Sequence, residues 1–218
     1  RLDSAIQDFA GAGGADTVIV YVHGFRRDFE TSAVNFAELI YQTSPDALPI
    51  LYSWPSTGNV FRYRNDVANL EWSNGTLQSM LQQLLEYPAV GTVHVVAHSL
   101  GSLAMLEAVA RVTGETSPEL TSKFGQILLI SPDVGRERFE REYLPVIRGN
   151  DLRITIYAAE NDVPLRTSRH VNKAERVGDA RTSVPVYAGT ETILVSDVVS
   201  ILNSHDAHVE VTEVQADI

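Results

Sequence analysis

The sequence predicts an α/β fold with a mostly parallel central sheet and helices on both faces. Short apolar runs alternate with segments of helical spacing along the whole chain, which is typical of strand–helix units joined by right-handed crossovers. Most of the apolar runs are continuous rather than alternating, as expected for strands that are buried on both faces. The 218 residues are enough for one domain with a substantial core, so we expect a single domain over residues 1–218.

Six runs rich in Val, Ile, Leu and Thr predict the strands, because such runs are short and bounded by turn residues. The predicted strands are residues 17–22, 48–53, 92–97, 126–131, 152–158 and 192–196. Apolar residues at helical spacing predict helices between them. The predicted helices are residues 31–43, 77–86, 99–112 and 137–147. Two segments, 54–74 and 169–189, contain Pro, Gly and Asn and are expected to be irregular, either over a site or on the surface.

Composition excludes several classes of protein. The formal net charge of -11 disfavours nucleic acid and anionic membranes as partners, because both would repel the chain. The chain has no cysteine, so it has neither disulfides nor a thiolate nucleophile. No run approaches the roughly 18 apolar residues that span a bilayer. We therefore expect a soluble protein of the cytoplasm or, after processing, of the periplasm or the medium.

The most informative motif surrounds Ser99, in the run VHVVAHSLGSLAML. An apolar strand ends in a turn of small residues and a helix begins at once, which is the Gly-x-Ser-x-Gly pattern of a nucleophile elbow. Ala97 replaces the first glycine, at a position that must be small. The turn would present the hydroxyl clear of the sheet, beside a helix N-terminus that favours negative charge. The alternative is an ordinary helix N-cap, for which serine is also favoured.

A serine nucleophile needs donors for the oxyanion that forms when it attacks a carbonyl. One should be the backbone N–H of Leu100, and the other should follow an early strand. The run YVHGF after the first strand fits this second role, with the N–H of Phe25 as the first choice and that of Arg26 as the second. Gly24 would let the chain turn back toward the site. We interpret His23 as a hydrogen-bonded anchor of this loop and not as a catalytic group.

The acid of a triad should follow a strand between the nucleophile and the base, and two aspartates qualify. Asp162 lies in the pattern strand-x-x-x-Asp-x-x-Pro, which resembles the acid turn of many α/β-hydrolases. Asp133 follows the preceding strand, where some lipases carry their acid. We favour Asp162, and the alternative for Asp133 is a turn or a helix N-cap.

The base should come last in the chain, and two histidines follow the final predicted strand. We prefer His205, because it lies in the polar, turn-like run NSHD from which a loop could aim it inward. His208 leads into VEV, which reads as an extended segment. The order Ser99, Asp162, His205 is the chain order of the α/β-hydrolase triad.

A metal-dependent hydrolase is the competing chemistry. His205 and His208 form a close pair, but no carboxylate–histidine cluster with the spacing of a metal site completes it. We therefore expect no metal site and no cofactor.

The chain resembles a family of α/β-hydrolases, mostly bacterial, long catalogued as a domain of unknown function. The motifs that carry the resemblance are YVHGF followed by FE, YSWPSTG, VVAHSLG, SPDV, YAAEND and a late histidine, with Ser-Trp-Pro the most specific. The resemblance covers nearly the whole chain and implies an α/β-hydrolase fold, ester hydrolysis, a Ser-Asp-His triad and a place for Asp133 near the pocket. Members of the family tend to have Gly-His-Ser-Tyr near their end, where this chain has Ser-His-Asp-Ala. Aligning the two motifs places His205 at the family's histidine and favours it as the base.

We expect the substrate to lie against four further positions, which are His23, Gly24, Trp54 and Asp133. The aromatic residues Phe61, Tyr63 and Trp72 are candidates for an apolar wall or for packing within their own loop.

The function that these residues predict is that of a serine hydrolase that cleaves a small carboxylic ester through an acyl-enzyme. Amide, thioester and lipid hydrolysis use the same residues and stay open as alternatives. A binding module that kept the fold without turnover is the alternative from another class. The sequence does not predict the physiological substrate or the oligomeric state.

Overall fold

Six strands form one parallel sheet in the computed structural model, which describes residues 2–11, 14, 16–56 and 63–195. The strand order is β2-β1-β3-β4-β5-β6, and every pairing of neighbouring strands in this sheet is parallel. The strands are β1 Thr17–Val22, β2 Leu48–Tyr52, β3 Thr92–His98, β4 Phe124–Ile130, β5 Arg153–Ala158 and β6 Thr190–Leu194. The prediction of a parallel sheet is confirmed, and the predicted strands differ from these by a few residues at their ends.

Helices connect the strands and cover the sheet on both faces. They are α1 Leu2–Gly11, α2 Phe29–Thr43, α3 Tyr63–Glu86, α4 Gly101–Glu115, α5 Pro118–Thr121, α6 Arg136–Arg138, a π-helical turn Phe139–Tyr143, α7 Leu144–Gly149 and α8 Val163–Asn172. Val20 of β1 belongs to the core cluster that contains residues of α3 and α4. The next residue, Tyr21, faces the opposite layer and stacks on Phe36 of α2 with ring centroids 5.1 Å apart. Alternate residues of one strand therefore build two cores, as the continuous apolar runs predict.

The structure corrects the expectation that 54–74 is irregular, because α3 begins at Tyr63 and the predicted helix 77–86 is only its second half. Asn and Gly residues before residue 77 of this helix have low helix propensity and hide the pattern. Packing overrides that propensity: Leu70, Leu77 and Leu81 lie on one side of the helix and are fully buried.

Helix α8 is a second element that the sequence pattern does not predict. Asp162 is its N-cap residue and accepts a hydrogen bond from the Leu165 N–H at 2.8 Å, and proline follows in the first turn. Only Leu165 and Ser168 are buried along it, so the apolar periodicity is weak. The segment 173–189 that follows contains no regular helix or strand, as expected.

The chain order of the strands reverses at β1, whose neighbours are β2 on one side and β3 on the other. Ligands of open α/β sheets bind at such a point, outside the carboxyl ends of the strands. Here β1 ends at Val22 and β3 ends at His98. The loops that leave these two strands therefore meet where the fold favours a site.

Candidate active site

Ser99 occupies the sharp turn between β3 and α4. Its φ is +51°, in the left-handed region that non-glycine residues rarely adopt, and α4 begins two residues later. The Ser99 N–H donates to the carbonyl of Ile130 at 2.9 Å, and its own carbonyl accepts from the Asp133 N–H at 3.1 Å. The turn is thus fixed to the end of β4 and to the loop beyond it, which is the geometry that the nucleophile-elbow pattern predicts.

Two glycines allow the backbone to pack tightly around this turn. A Cβ atom on Gly101 would lie 2.5 Å from the His23 carbonyl oxygen, and one on Gly24 would lie 2.9 Å from the Cβ of Ser99. Neither approach is possible for a larger residue without movement of the backbone. The loop after β1 is therefore held directly against the nucleophile turn.

A cavity of about 510 Å³ opens beside Ser99. Phe25 and Asp133 also line it, so the structure brings these three predicted site residues to one space. The remaining wall comes largely from α8, through Val163, Pro164, Leu165, Thr167, Ser168 and Val171. Most of these α8 side chains are apolar, while Arg26 and Arg27 also line the cavity, so an apolar group would lie against α8.

The predicted oxyanion donors, the N–H groups of Phe25 and Leu100, differ from the alternative donor, the N–H of Arg26, in their hydrogen bonds. The backbone N–H groups of Phe25 and Leu100 make no hydrogen bond with any group in the described part of the chain. The N–H of Arg26, the second choice, donates to the Ser56 hydroxyl at 3.0 Å. Arg26 is thereby engaged in holding the loop, which favours Phe25 as the donor.

The structure places His23 and Trp54 behind the cavity wall and not on it. Their rings stack with centroids 5.3 Å apart, and both residues are buried. The Trp54 indole N–H donates to the His23 carbonyl at 2.8 Å. Neither residue is among those that line the cavity, and both hold the loop after β1 in place, while Gly24 lies close to Ser99.

The hydrogen bonds of His23 define a neutral imidazole. Its Nδ1 lies 2.9 Å from the Gly24 carbonyl, which only accepts, so Nδ1 carries the proton. Its Nε2 then accepts from the Trp54 backbone N–H at 3.1 Å. Burial lowers the pKa of His23 below its ordinary value, because the charged imidazole would lose its hydration.

Because His23 is neutral in the folded protein, we expect the free energy of unfolding to decrease in mild acid. Its pKa is lower in the folded state than in the unfolded state, so the unfolded chain binds the extra proton first as pH falls below about 6.5. The free energy of unfolding should therefore decrease from pH 7.5 to pH 5.5, with a slope from this group that approaches about 1.4 kcal/mol per pH unit. Urea unfolding across this range should show a smaller slope for His23→Asn than for the wild type.

The exposed His170 on α8 supplies the control for that experiment. His170→Asn should keep the wild-type slope. An equal slope in wild type and His23→Asn would show that His23 does not produce the acid sensitivity.

The carboxylate of Asp133 contacts three other side chains at the cavity. Its Oδ1 accepts from the Ser168 hydroxyl at 2.6 Å, and its Oδ2 accepts from the Tyr63 hydroxyl at 2.9 Å. The Arg176 Nε lies 3.1 Å from Oδ1 in a buried ion pair, although the two atoms do not meet the angle of a hydrogen bond. Three segments that are distant in sequence thus converge on one carboxylate.

Sequence reasoning missed two members of this cluster, Ser168 and Arg176. Ser168 lies on the unpredicted α8, and Arg176 lies in the segment expected to be irregular. The stretch 176–180 is buried, and its backbone bonds to the ends of two strands: the Gly178 N–H donates to Pro132 and the Ala159 N–H donates to Gly178, both at 3.0 Å. The small or apolar residues Val177, Gly178 and Ala180 are the signal in the sequence that could have indicated this burial.

Other predicted site residues have different outcomes. Asp162 is buried and caps α8. The first three residues of this helix line the cavity. His205, His208 and Phe61 lie outside the described residues. Trp72, a candidate for an apolar wall or for packing within its loop, is 85% exposed on α3 and is not among the residues that line either cavity.

The described residues hold no group of three or more His, Asp or Glu side chains placed to bind a metal ion. Across the same ranges, every helix is too short or too polar to cross a bilayer.

A family model described as alpha/beta hydrolase of unknown function, DUF900, matches residues 3–215. The chain belongs to this family. The match confirms the predicted α/β-hydrolase fold and the predicted resemblance to this family. Membership of DUF900 also supports the prediction that the protein is a hydrolase.

Solved structures share the fold at low sequence identity. Est1E from Butyrivibrio proteoclasticus has a TM-score of 0.52 and 11% identity, over 94% of this chain and 86% of its own. An uncharacterised protein from Bacillus cereus has a TM-score of 0.52 and 10% identity, over 84% of this chain, which spans only 53% of that protein. At these identities the likeness shows the fold alone. No curated protein matches this member of DUF900.

Because the loop after β1 lies so close to Ser99, we expect one added methyl group at Gly24 to have a large effect in this DUF900 protein. In Gly24→Ala, the new Cβ would lie 2.6 Å from the His98 Nδ1 and 2.9 Å from the Ser99 Cβ. The loop must shift, so we expect hydrolysis of a 4-nitrophenyl ester to fall roughly 100-fold, because catalysis depends on sub-ångström placement. We also expect the free energy of unfolding to fall by about 1–3 kcal/mol.

Gly75 is the matched control, because it lies exposed in α3 and an added Cβ would meet nothing within 4 Å. Gly75→Ala should keep activity and gain about 0.5–1 kcal/mol from better helix propensity. Wild-type turnover in Gly24→Ala would contradict the tight approach of the two loops.

Proposed function

We propose that this protein is a serine hydrolase of carboxylic esters, with Ser99 as its nucleophile. The observation that carries the proposal is the position of Ser99, at φ +51° between β3 and α4 and on the wall of the cavity. The fold alone does not require a serine at this strained position, because alanine or glycine could form the same turn. Exposure of its hydroxyl to a substrate explains the arrangement.

The proposed reaction proceeds through an acyl-enzyme. Ser99 Oγ attacks the ester carbonyl while the imidazole of His205 takes its proton, and the same proton then goes to the departing alcohol. The backbone N–H groups of Phe25 and Leu100 hold the oxyanion of the tetrahedral intermediate. Water, deprotonated by the imidazole, then releases the acid and restores the serine.

We assign the orientation of the imidazole to Asp162 in preference to Asp133. The carboxylate of Asp133 already accepts from two hydroxyl groups and pairs with the buried Arg176 cation. A cation at 3.1 Å offsets the negative charge that would stabilise an imidazolium. Asp162 accepts from the Leu165 backbone N–H at 2.8 Å at the start of α8, which fixes one oxygen of its carboxylate.

The base is proposed to be His205, with His208 as the alternative. Alanine variants of the two residues should separate them: His205→Ala should lose most of kcat/KM, whereas His208→Ala should keep it. In the wild type and in His208→Ala, kcat/KM should decline in acid as the free imidazole is protonated, near its unperturbed pKa of about 6.5. An inactive His208→Ala beside an active His205→Ala would assign the base to His208.

A panel of 4-nitrophenyl esters from acetate to decanoate, together with a fluorophosphonate probe, tests the proposed function. We expect saturable hydrolysis of at least the short esters and labelling of one serine per chain, at Ser99 by peptide mapping. The reaction uses no metal ion, so EDTA should leave the rate unchanged. Hydrolysis of the matching amides or thioesters at higher kcat/KM would reassign the substrate class. Absence of both labelling and turnover would favour a binding module.

A further inference from the structure

Tyr63 lies at the boundary between two cavities. It is the first residue of α3, and its ring meets the ring of Phe25 edge-on with centroids 5.6 Å apart. Its hydroxyl donates to Asp133, and it lies 3.4 Å from the Ser168 hydroxyl. Burial raises the pKa of Tyr63 far above its ordinary value, so the hydroxyl remains a neutral donor.

The second cavity, of about 690 Å³, differs from the first in the character of its walls. It contains no part of Ser99 and is bordered by charged residues, among them Arg136, Glu137 and Arg138. Its apolar lining residues are Val67, Leu100, Leu103 and Val134. Two of its arginines are held by other groups: Arg138 pairs with Glu107 at 2.5 Å, and the Arg136 side chain donates to the Arg176 carbonyl at 3.2 Å.

Tyr63 and Asp133 are the two residues that line both cavities. The hydrogen bond between their side chains, 2.9 Å long, therefore spans the wall that the cavities share. Asp133 is itself fixed by Ser168 and Arg176, so the wall is anchored to α8 and to the buried segment 176–180. Because both of its faces border open space, this wall sets how far a group bound at Ser99 can extend.

We propose that the Tyr63–Asp133 pair is a partition that determines acyl-chain specificity. It closes the space beside Ser99 and restricts the acyl group of the substrate to short chains, and removal of the Tyr63 ring would join the two cavities. Tyr63 acts as a specificity-determining residue, since it limits the bound chain and takes no part in the chemistry. The inference rests on the proposed ester hydrolysis.

The experiment compares 4-nitrophenyl butyrate with 4-nitrophenyl octanoate in three variants. Tyr63→Ala should raise the octanoate-to-butyrate ratio of kcat/KM about tenfold, because the longer chain can enter the second cavity. Tyr63→Phe keeps the ring and should keep the wild-type ratio. The double variant Tyr63→Ala, Val67→Phe refills the space one helical turn away and should return the ratio toward that of the wild type.

Tyr41→Ala, a change of a tyrosine that is 81% exposed on α2, is the matched control and should leave the ratio unchanged. Circular dichroism and thermal unfolding establish that each variant is folded. A folded Tyr63→Ala with the wild-type ratio would overturn the partition.

A binding measurement separates this inference from the proposed function. In the Ser99→Ala background, calorimetry with the two intact esters should show the same tenfold change in the ratio of Kd values on Tyr63→Ala. A shift in binding without hydrolysis by the wild type would support the partition and refute the esterase. Hydrolysis with unchanged ratios of both kcat/KM and Kd would support the esterase and refute the partition.

Discussion

Replacement of Ser99 by alanine should lower kcat/KM for 4-nitrophenyl butyrate by roughly 10⁴-fold or more, because the acyl-enzyme can no longer form. The fold should survive the change. Alanine has the same Cβ as serine, so it adds no clash at φ +51° and keeps the turn bonded to Ile130 and Asp133 through the backbone. The melting temperature should therefore remain close to that of the wild type, and steady-state kinetics beside thermal unfolding measures both effects.

Ser102 provides the control for this substitution. It is buried three residues further along, and its hydroxyl donates to the Ala97 carbonyl at 3.1 Å, away from any reacting group. Ser102→Ala should lose about 1 kcal/mol of stability with its hydrogen bond and keep most of the activity. If Ser99→Ala retains wild-type turnover, the nucleophile has been assigned to the wrong residue.

Replacement of Asp162 by asparagine should reduce kcat by roughly 10⁴-fold, because an amide favours the wrong tautomer of the imidazole and cannot stabilise its charged form. Stability should barely change. Asparagine is as good an N-cap as aspartate, so the bond to the Leu165 N–H can be retained. A large loss of rate without a loss of folding would thus isolate the chemical role of the carboxylate from its structural role.

The companion variant Asp133→Asn should show the opposite division. It leaves the buried Arg176 without its counter-charge, so the free energy of unfolding should fall by about 3 kcal/mol. Activity should fall much less than in Asp162→Asn. Urea unfolding and kinetics on both variants give the comparison, and a severe catalytic defect confined to Asp133→Asn would place the acid one strand earlier.

The predicted partition and the two aspartates are linked by α8. This helix begins at the Asp162 cap and carries the apolar wall of the cavity, and it positions Ser168 on Asp133. The proposed acid, the proposed acyl-binding surface and the support of the partition therefore depend on one ten-residue element. Substitutions on its buried face should affect rate and chain-length preference together.

Local patterns were sufficient to predict the sheet and the sharp turn at Ser99. Continuous apolar runs identify buried parallel strands, and a small-residue turn between such a run and a helix can be recognised from neighbouring residues alone. The interpretation of His23 as a loop anchor also followed from its immediate neighbours. These features depend on short stretches of chain, so each could be predicted one segment at a time.

Features that depend on distant segments could not be predicted in this way. The part of α3 before residue 77 forms in spite of Asn65, Asn74 and Gly75, because leucines on one side of the helix pack in the core. Helix α8 has a polar composition, and its two valines line the cavity because the fold places the helix there.

The sequence by itself therefore determined the fold class, the family and the turn that holds Ser99, since each is encoded in residues close together in the chain. Only the tertiary structure decided that Tyr63, Asp133, Ser168 and Arg176 form one cluster beside that turn. Up to 113 positions separate these residues in the sequence, from 63 to 176. Hydrogen bonds and ion pairs between such distant residues leave no periodic pattern, because they are set by how the finished sheet brings its loops together.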